Sequence, residues 1–172
     1  MRAHEEEQFG EYVDARLPAL RRTAFFLCGD WHSAEDLAQT TLIRMYRAWT
    51  GLNSRDSVDS YARRVLVRAF LDERRRPWRR ERATAVLPDG ATPTGTSYEV
   101  RDALLAALAL LPAQQRAAVV LRYWDDMSVE ETAFAMGIGT GTVKSYCARG
   151  LARLREVLPQ PAGLAPDSPD RK

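Results

Sequence analysis

The sequence predicts an all-α chain of two small helical domains joined by a flexible linker, the second containing a helix-turn-helix. Three observations carry this. Apolar residues recur at three- and four-residue spacings through each structured stretch. Residues 83–99, ATAVLPDGATPTGTSYE, are rich in Pro, Gly and Thr with no period, and divide the chain. Residues 128–158, SVEETAFAMGIGTGTVKSYCARGLARLREVL, read as helix, tight turn, helix. The boundaries that follow are 1–82, the linker 83–99, 100–158, and a disordered tail at 159–172, PQPAGLAPDSPDRK.

In the first body, Phe9, Val13, Leu17, Leu20, Ala24 and Leu27 share one helical face, with Pro18 as the place for a kink. Gly29-Asp30 breaks that helix, and Ser33 is expected to cap the next, Ala34 to Trp49. This second helix has two faces. Ala34, Ala38, Leu42, Met45 and Trp49 point one way, toward a core. Asp36, Gln39, Thr40, Ile43 and Arg47 point the other way, and Ile43 stands among polar groups as on a partner-binding stripe. Gly51–Ser60 reads as a polar loop. A third helix from Val58 to Arg76 buries Val58, Ala62, Val65, Leu66 and Ala69. Arg64, Arg68 and Arg75 lie on its reverse, with Arg63 and Arg74 at one edge, and Pro77 ends it. Residues 61–82 hold nine Arg against three acids. Arginines interleaved with Tyr61, Phe70 and Trp78 suit a nucleic-acid backbone, with aromatics for stacking on unpaired bases.

In the second body, Val100–Leu111 is a Leu/Ala helix and Pro112 opens another, Ala113 to Trp124. Ser128 followed by Glu131 is a capping box. Gly137 stops the short helix because a left-handed residue there costs Gly nothing. Thr140 is expected to cap the last helix, whose apolar stripe is Val143, Cys147, Gly150, Leu151, Leu154 and Leu158. Its opposite face carries Thr142, Ser145, Arg149 and Ala152, flanked by Tyr146 and Arg153. One apolar face and one short, basic face suit the DNA major groove. Ala133 and Gly150 are small, as two closely crossing helices need.

Composition narrows the classes. The chain has 172 residues and a net charge of +2, which conceals that 23 of its 25 basic residues are Arg, the side chain of bidentate phosphate and base contacts. No apolar run approaches membrane-spanning length and the N-terminus MRAHEEEQ is acidic rather than a signal peptide, so a cytoplasmic protein is expected. Cys28 and Cys147 have no metal spacing, and no metal or other cofactor is expected. Cys28 and His32 are four apart, but Gly29-Asp30 between them should break the helix that would align a dyad. Glu35-Asp36 and Asp125-Asp126 are adjacent pairs that diverge on a helix. There is no Gly-rich phosphate loop. No catalytic residue is expected.

Several segments in order now carry a resemblance: A-E-D-L-A-Q-T-T-L, S-Y-A-R-R-V-L-V-R-A-F-L-D-E-R-R-R, the linker, L-P-A-Q-Q-R-A-A-V-V-L-R-Y-W-D-D-M-S-V-E-E-T-A, and G-T-V-K-S with Arg149 downstream. From about Phe9 to Leu158 the chain resembles an extracytoplasmic-function (ECF, group 4) sigma factor of bacterial RNA polymerase, of the sigma-E-like kind. The resemblance implies that Asp36, Gln39, Thr40, Ile43 and Arg47 dock on the clamp helices of the polymerase largest subunit. It implies that the loop Asn53, Ser54, Arg55 and the helix residues Tyr61, Arg64, Arg68, Arg75 and Arg76 read and open the promoter −10 element. It places Thr142, Lys144, Ser145, Tyr146, Arg149 and Arg153 on the −35 element, with Tyr146 standing where a longer basic side chain is common. It adds the second-largest-subunit flap and an anti-sigma factor as partners. Seventeen linker residues span at most ~60 Å extended, against ~50 Å between elements one and a half helical turns apart. The alternative function is a stand-alone helix-turn-helix regulator, which would need a dimerisation helix that the sequence does not offer.

Overall fold

The computed structural model describes residues 3–52, 55–75 and 96–158. Among them there are seven α-helices and no strand: α1 (Ala3–Cys28), α2 (Trp31–Ala48), α3 (Arg55–Arg75), α4 (Thr96–Ala109), α5 (Ala113–Tyr123), α6 (Val129–Met136) and α7 (Thr140–Val157), with a single 3-10 turn at Trp49–Gly51. The linker core, the tail, Asn53, Ser54, Arg76 and Trp78 lie outside the described residues.

α1 and α2 form an antiparallel pair across a sharp turn. Gly29 takes φ 87°, the left-handed conformation that favours glycine. Asp30, not Ser33, is the cap of α2: its carboxylate accepts the Ser33 backbone N–H at 2.7 Å. A carboxylate at Ncap serves as well as a hydroxyl and also meets the positive end of the helix. α1 runs through Pro18 as one continuous helix. α2 buries Ala34, Leu37, Ala38, Thr41 and Met45. Thr41, fully buried, returns its hydroxyl to the Leu37 carbonyl at 2.8 Å. α3 packs on both α1 and α2. It begins at Arg55, inside the stretch expected to be loop, and buries Val58, Ala62, Val65, Leu66, Val67, Ala69, Phe70 and Leu71.

α4 starts at Thr96, four residues inside the expected linker, and ends at Ala109 before the turn into Pro112. α5 is the spine of the second body, with Ala117, Ala118 and Leu121 fully enclosed and α7 laid along it. The capping box is complete: Ser128 Oγ accepts the Glu131 N–H at 3.1 Å, and Glu131 Oε2 accepts the Ser128 N–H at 2.7 Å. Gly137 closes α6 at φ 70°. Gly139 is the Ncap of α7 and Thr140 its first helical residue. Gly150 is buried, but the helix it faces is α5: a Cβ there would lie 2.7 Å from Val119 Cγ2. Its smallness serves the α5–α7 crossing, not the α6–α7 crossing that the sequence suggested.

The two bodies dock on each other. α1 and α3 pack against α5 and α6, and one hydrophobic cluster runs from Leu20 through Leu66 and Leu121 to Leu154.

Candidate polymerase and nucleic-acid interfaces

Three outward faces carry the residues that the sequence singled out. On α2, Asp36, Gln39, Ile43 and Arg47 are exposed and Thr40 is half-buried. Their spacing keeps them on one side because Ala34, Ala38 and Met45 turn inward with no exposure at all. Ile43 is 56% exposed, with Tyr46 beside it. Asp36 lies 3.8 Å from His32 Nε2 on the exposed first turn.

On α3, Arg64 is half-buried and Arg68 and Arg75 are exposed. Tyr61 is half-buried under Arg64, whose guanidinium carbon sits 5.1 Å from the ring centroid. Phe70 is 1% exposed, so it belongs to the core and cannot stack on a base. Its spacing from Val67 and Leu66 puts it on the inner side, and Arg74 covers its ring at 5.5 Å. Arg55 starts the helix.

An open groove of about 390 Å³ runs between α2 and α3, lined by Arg44, Arg47, Tyr61, Arg64 and Arg68 with Ala48 and Val65 at its floor. Among the described residues no carboxylate pairs with any of those four arginines. Four unneutralised guanidinium groups around one aromatic ring form an anion-seeking track. Arg44 was missed in the sequence, where it is a single basic residue between Ile43 and Met45. Its i, i+3 relation to Arg47 was the available signal. Arg47, expected on the docking stripe, lines this groove, so α2 contributes to both faces.

On α7, Thr142, Lys144, Arg149 and Arg153 are exposed, and Ser145 and Tyr146 are half-buried. Val143, Cys147, Gly150 and Leu154 anchor the opposite side. Arg153 Nη1 pairs with Glu156 at 3.1 Å, a surface i, i+3 pair of little energetic weight. The outer row is thus a rigid display of short polar and basic groups.

The two cysteines stand apart from these faces. Burial pushes the Cys28 thiol up to about 12, and His32 faces solvent beside Asp36. The two do not form a dyad. Among the described residues no group of three or more His, Cys, Asp or Glu could hold a metal ion. No helix among them is long and apolar enough to cross a membrane.

Comparison with known proteins joins the two bodies. Residues 12–80 match the model of sigma-70 region 2, and residues 101–154 match sigma-70 region 4. The chain is 44% identical over 152 residues to the RNA polymerase sigma-E factor of Streptomyces avermitilis, covering 88% of this chain and 85% of that one. It is 34% identical to the ECF sigma factor SigM of Mycobacterium tuberculosis, over 81% of this chain and 71% of that one. Among solved structures it is similar to the sigma factor RpoE of Bartonella quintana, crystallised with the anti-sigma factor NepR. There the TM-score is 0.69 and the identity 28%, covering 88% of this chain and 96% of that one. With helix-turn-helix, arginine groove and both sigma regions in one chain, the protein belongs to the ECF sigma factors, which bind core RNA polymerase and direct promoter-specific initiation.

Proposed function

We propose a division of labour among the three faces of this sigma factor. The α2 stripe of Asp36, Gln39, Thr40 and Ile43 docks on the clamp helices of the polymerase largest subunit, with Ile43 as the apolar anchor in a polar rim. The α3 face, with Tyr61, Arg64, Arg68 and Arg75, engages the −10 element. Arg47 and Arg44 extend that track across the groove, and Asn53, Ser54, Arg55 and Arg76 are assigned to the same promoter element. The α7 row of Thr142, Lys144, Ser145, Tyr146, Arg149 and Arg153 enters the major groove at the −35 element. Arg149 takes a guanine bidentately, a contact of about 1–3 kcal/mol of discrimination. The polymerase flap holds the second body, and an anti-sigma factor is a further partner, as one is for the RpoE relative.

The observation that carries this reading is the arginine groove, which holds four cations with no carboxylate among the described residues and a half-buried tyrosine. Strands of phosphate and unstacked bases supply both things it lacks. The test is transcription in vitro with purified core polymerase on genomic fragments. Wild-type chain gives new promoter-specific starts. Arg44→Ala with Arg64→Ala retains core binding and loses those starts. Retention of starts by that variant overturns the assignment of the groove.

A further inference from the structure

We propose that Tyr12 of α1 is a positioning residue for promoter recognition: it ties the end of α2 to the start of α3 and so fixes the spacing of the two walls of the arginine groove. The inference rests on the assignment of that groove to the −10 element.

Tyr12 holds two elements at once. Its ring lies against Trp49, with centroids 5.4 Å apart, and its hydroxyl donates to Asp59 Oδ1 at 3.0 Å. Trp49 is where α2 gives way to the 3-10 turn. Its amide donates to the Tyr46 carbonyl, and its own carbonyl accepts from the Leu52 N–H at 3.0 Å. Phe9, one turn before Tyr12, meets the same indole edge-on at 5.0 Å. The indole is seated between two rings of α1 and cannot turn without breaking both contacts. Asp59 stands in the second turn of α3, and its other oxygen takes Arg16 at 2.7 Å. With both oxygens engaged, that carboxylate has one orientation. Burial, and after it the Asp59 charge, raises the Tyr12 hydroxyl above the usual tyrosine range, so it stays a donor.

The tie adjoins the groove. Arg47 and Ala48 immediately precede Trp49, and Tyr61 and Arg64 follow Asp59 by two and five positions; all four line the groove. At 3.6 residues per turn, about 200° around the helix separates Asp59 from Tyr61, so the grip of α1 on Asp59 turns Tyr61 to the groove side. Rotation of α3, or withdrawal of the end of α2, would move Arg47 relative to Tyr61 and Arg64. Elsewhere the two helices are locked by fully buried side chains, Met45 on α2 and Leu66 on α3. At the Trp49 end the facing groups include Arg47 and Arg64, whose like charges push the walls apart. A hydroxyl from a third helix on the Asp59 carboxylate opposes that push. Binding constellations need their side chains held within about 0.5 Å by such supporting contacts. Tyr12, Trp49 and Asp59 are not among the groove-lining residues, so they act through Arg47, Tyr61 and Arg64.

Tyr12→Phe keeps the ring on Trp49 and removes only the hydrogen bond, and Asp59→Ala removes it from the other side. Both are tested with core polymerase on two templates, a promoter taken from the mapped starts and its copy with one −10 base pair inverted. Each variant should co-purify with core polymerase as the wild type does. The ratio of transcripts from the two templates should fall toward unity by about threefold or more. Arg16→Ala, which leaves the Tyr12 hydroxyl on Asp59, and Ser128→Ala, which weakens only the second body, should keep the wild-type ratio. A smaller active fraction lowers both transcripts together, so destabilisation alone does not move the ratio. A wild-type ratio in either Tyr12→Phe or Asp59→Ala overturns the proposal, as does an equal fall in Ser128→Ala. The two claims part in the same assay. If Arg44→Ala with Arg64→Ala keeps the starts, the groove assignment fails. If that pair loses them while Tyr12→Phe keeps the ratio, the tie alone fails.

Discussion

Gly150→Ala probes what holds α7 in place. A Cβ built there lies 2.7 Å from Val119 Cγ2, and 3.6 Å from both the Gln115 carbonyl and Leu111 Cδ1. Carbon pairs are comfortable at about 3.5–4.0 Å, so nearly 1 Å has to be found. Val119 is 6% exposed, and a β-branched residue in a helix has one strongly preferred χ1, so it cannot swing aside. Overpacking of this kind costs about 1–3 kcal/mol. Against it stands the helix preference of Ala over Gly, about 0.8–1.0 kcal/mol. The net loss is about 1 kcal/mol, which in a domain of this size lowers Tm by about 4–8 °C. Gly10→Ala supplies the contrast, because nothing lies within 4 Å of a Cβ at that site in α1, and its Tm should rise. Thermal unfolding followed by circular dichroism measures both. Adding Val119→Ala should make Gly150→Ala cheaper than it is alone, a coupling that a double-mutant cycle reads directly. A Tm for Gly150→Ala at or above wild type would refute the claim that backbone closeness sets the α5–α7 crossing.

Four other outcomes are expected. Ile43→Asp should abolish co-purification with core polymerase while leaving the helical spectrum unchanged, since Ile43 contributes nothing to the core cluster. Arg149→Ala should relax −35 preference by about 1–3 kcal/mol in competition binding, with general DNA affinity falling much less. Ser128→Ala should cost the second body about 1 kcal/mol in chemical denaturation. The Ser128 backbone N–H, and after it the Ser128 hydroxyl, holds the Glu131 carboxyl below the usual glutamate range, so this cap is present above that range and lost as pH falls through the lowered value. Burial raises the Asp125 carboxyl against the opposing pulls of Thr23 and Arg63; with Arg16, Asp59 and Tyr12 also around that cleft, its contribution to stability should be fullest at low pH and be lost as pH rises through the raised value, which chemical denaturation across a pH series checks.

Much of this molecule was legible because helices advertise themselves through spacing. The buried rows of α2, α3 and α7 follow from three- and four-residue apolar periods, and Ser128, Glu131 and Gly137 fix the α6 ends by hydrogen-bonding logic that needs no tertiary context. What failed were choices between adjacent candidates. Asp30 and Ser33 both suit a cap, and the turn made by Gly29 decided for Asp30. Phe70 is compatible with either side of α3, and only the presence of α1 and α2 shows that its ring is enclosed. The faces on α2, α3 and α7 were visible as rows, but the groove that sets Arg44 opposite Tyr61 depends on how two helices cross. Docking of the two bodies was invisible altogether. A carbonyl accepting from Arg68, or a carboxylate meeting Thr23 across 102 positions of sequence, leaves no periodic trace.

The arginines explain why the outer side of α3 meets the second body. A helix that must meet phosphate cannot neutralise its own cations, because each internal carboxylate would compete with the ligand. α3 obeys this on its outer side. Arg63, at the edge, reaches Asp125, and Asp59 is spent on Arg16 at 2.7 Å and on the Tyr12 hydroxyl at 3.0 Å. Arg64 and Arg68 face the groove with no acid of their own. Unpaired cations repel one another and favour any nearby acceptor. In the free chain the nearest acceptors without net charge are a ring face and the end of a helix, and α6 presents both as Phe134 and Ala135. Each is weaker than a phosphate, which carries a full charge and accepts charge-assisted hydrogen bonds. The same lack of acids that leaves Arg64 and Arg68 open to an anion therefore makes this face of α3 adhesive to the second body.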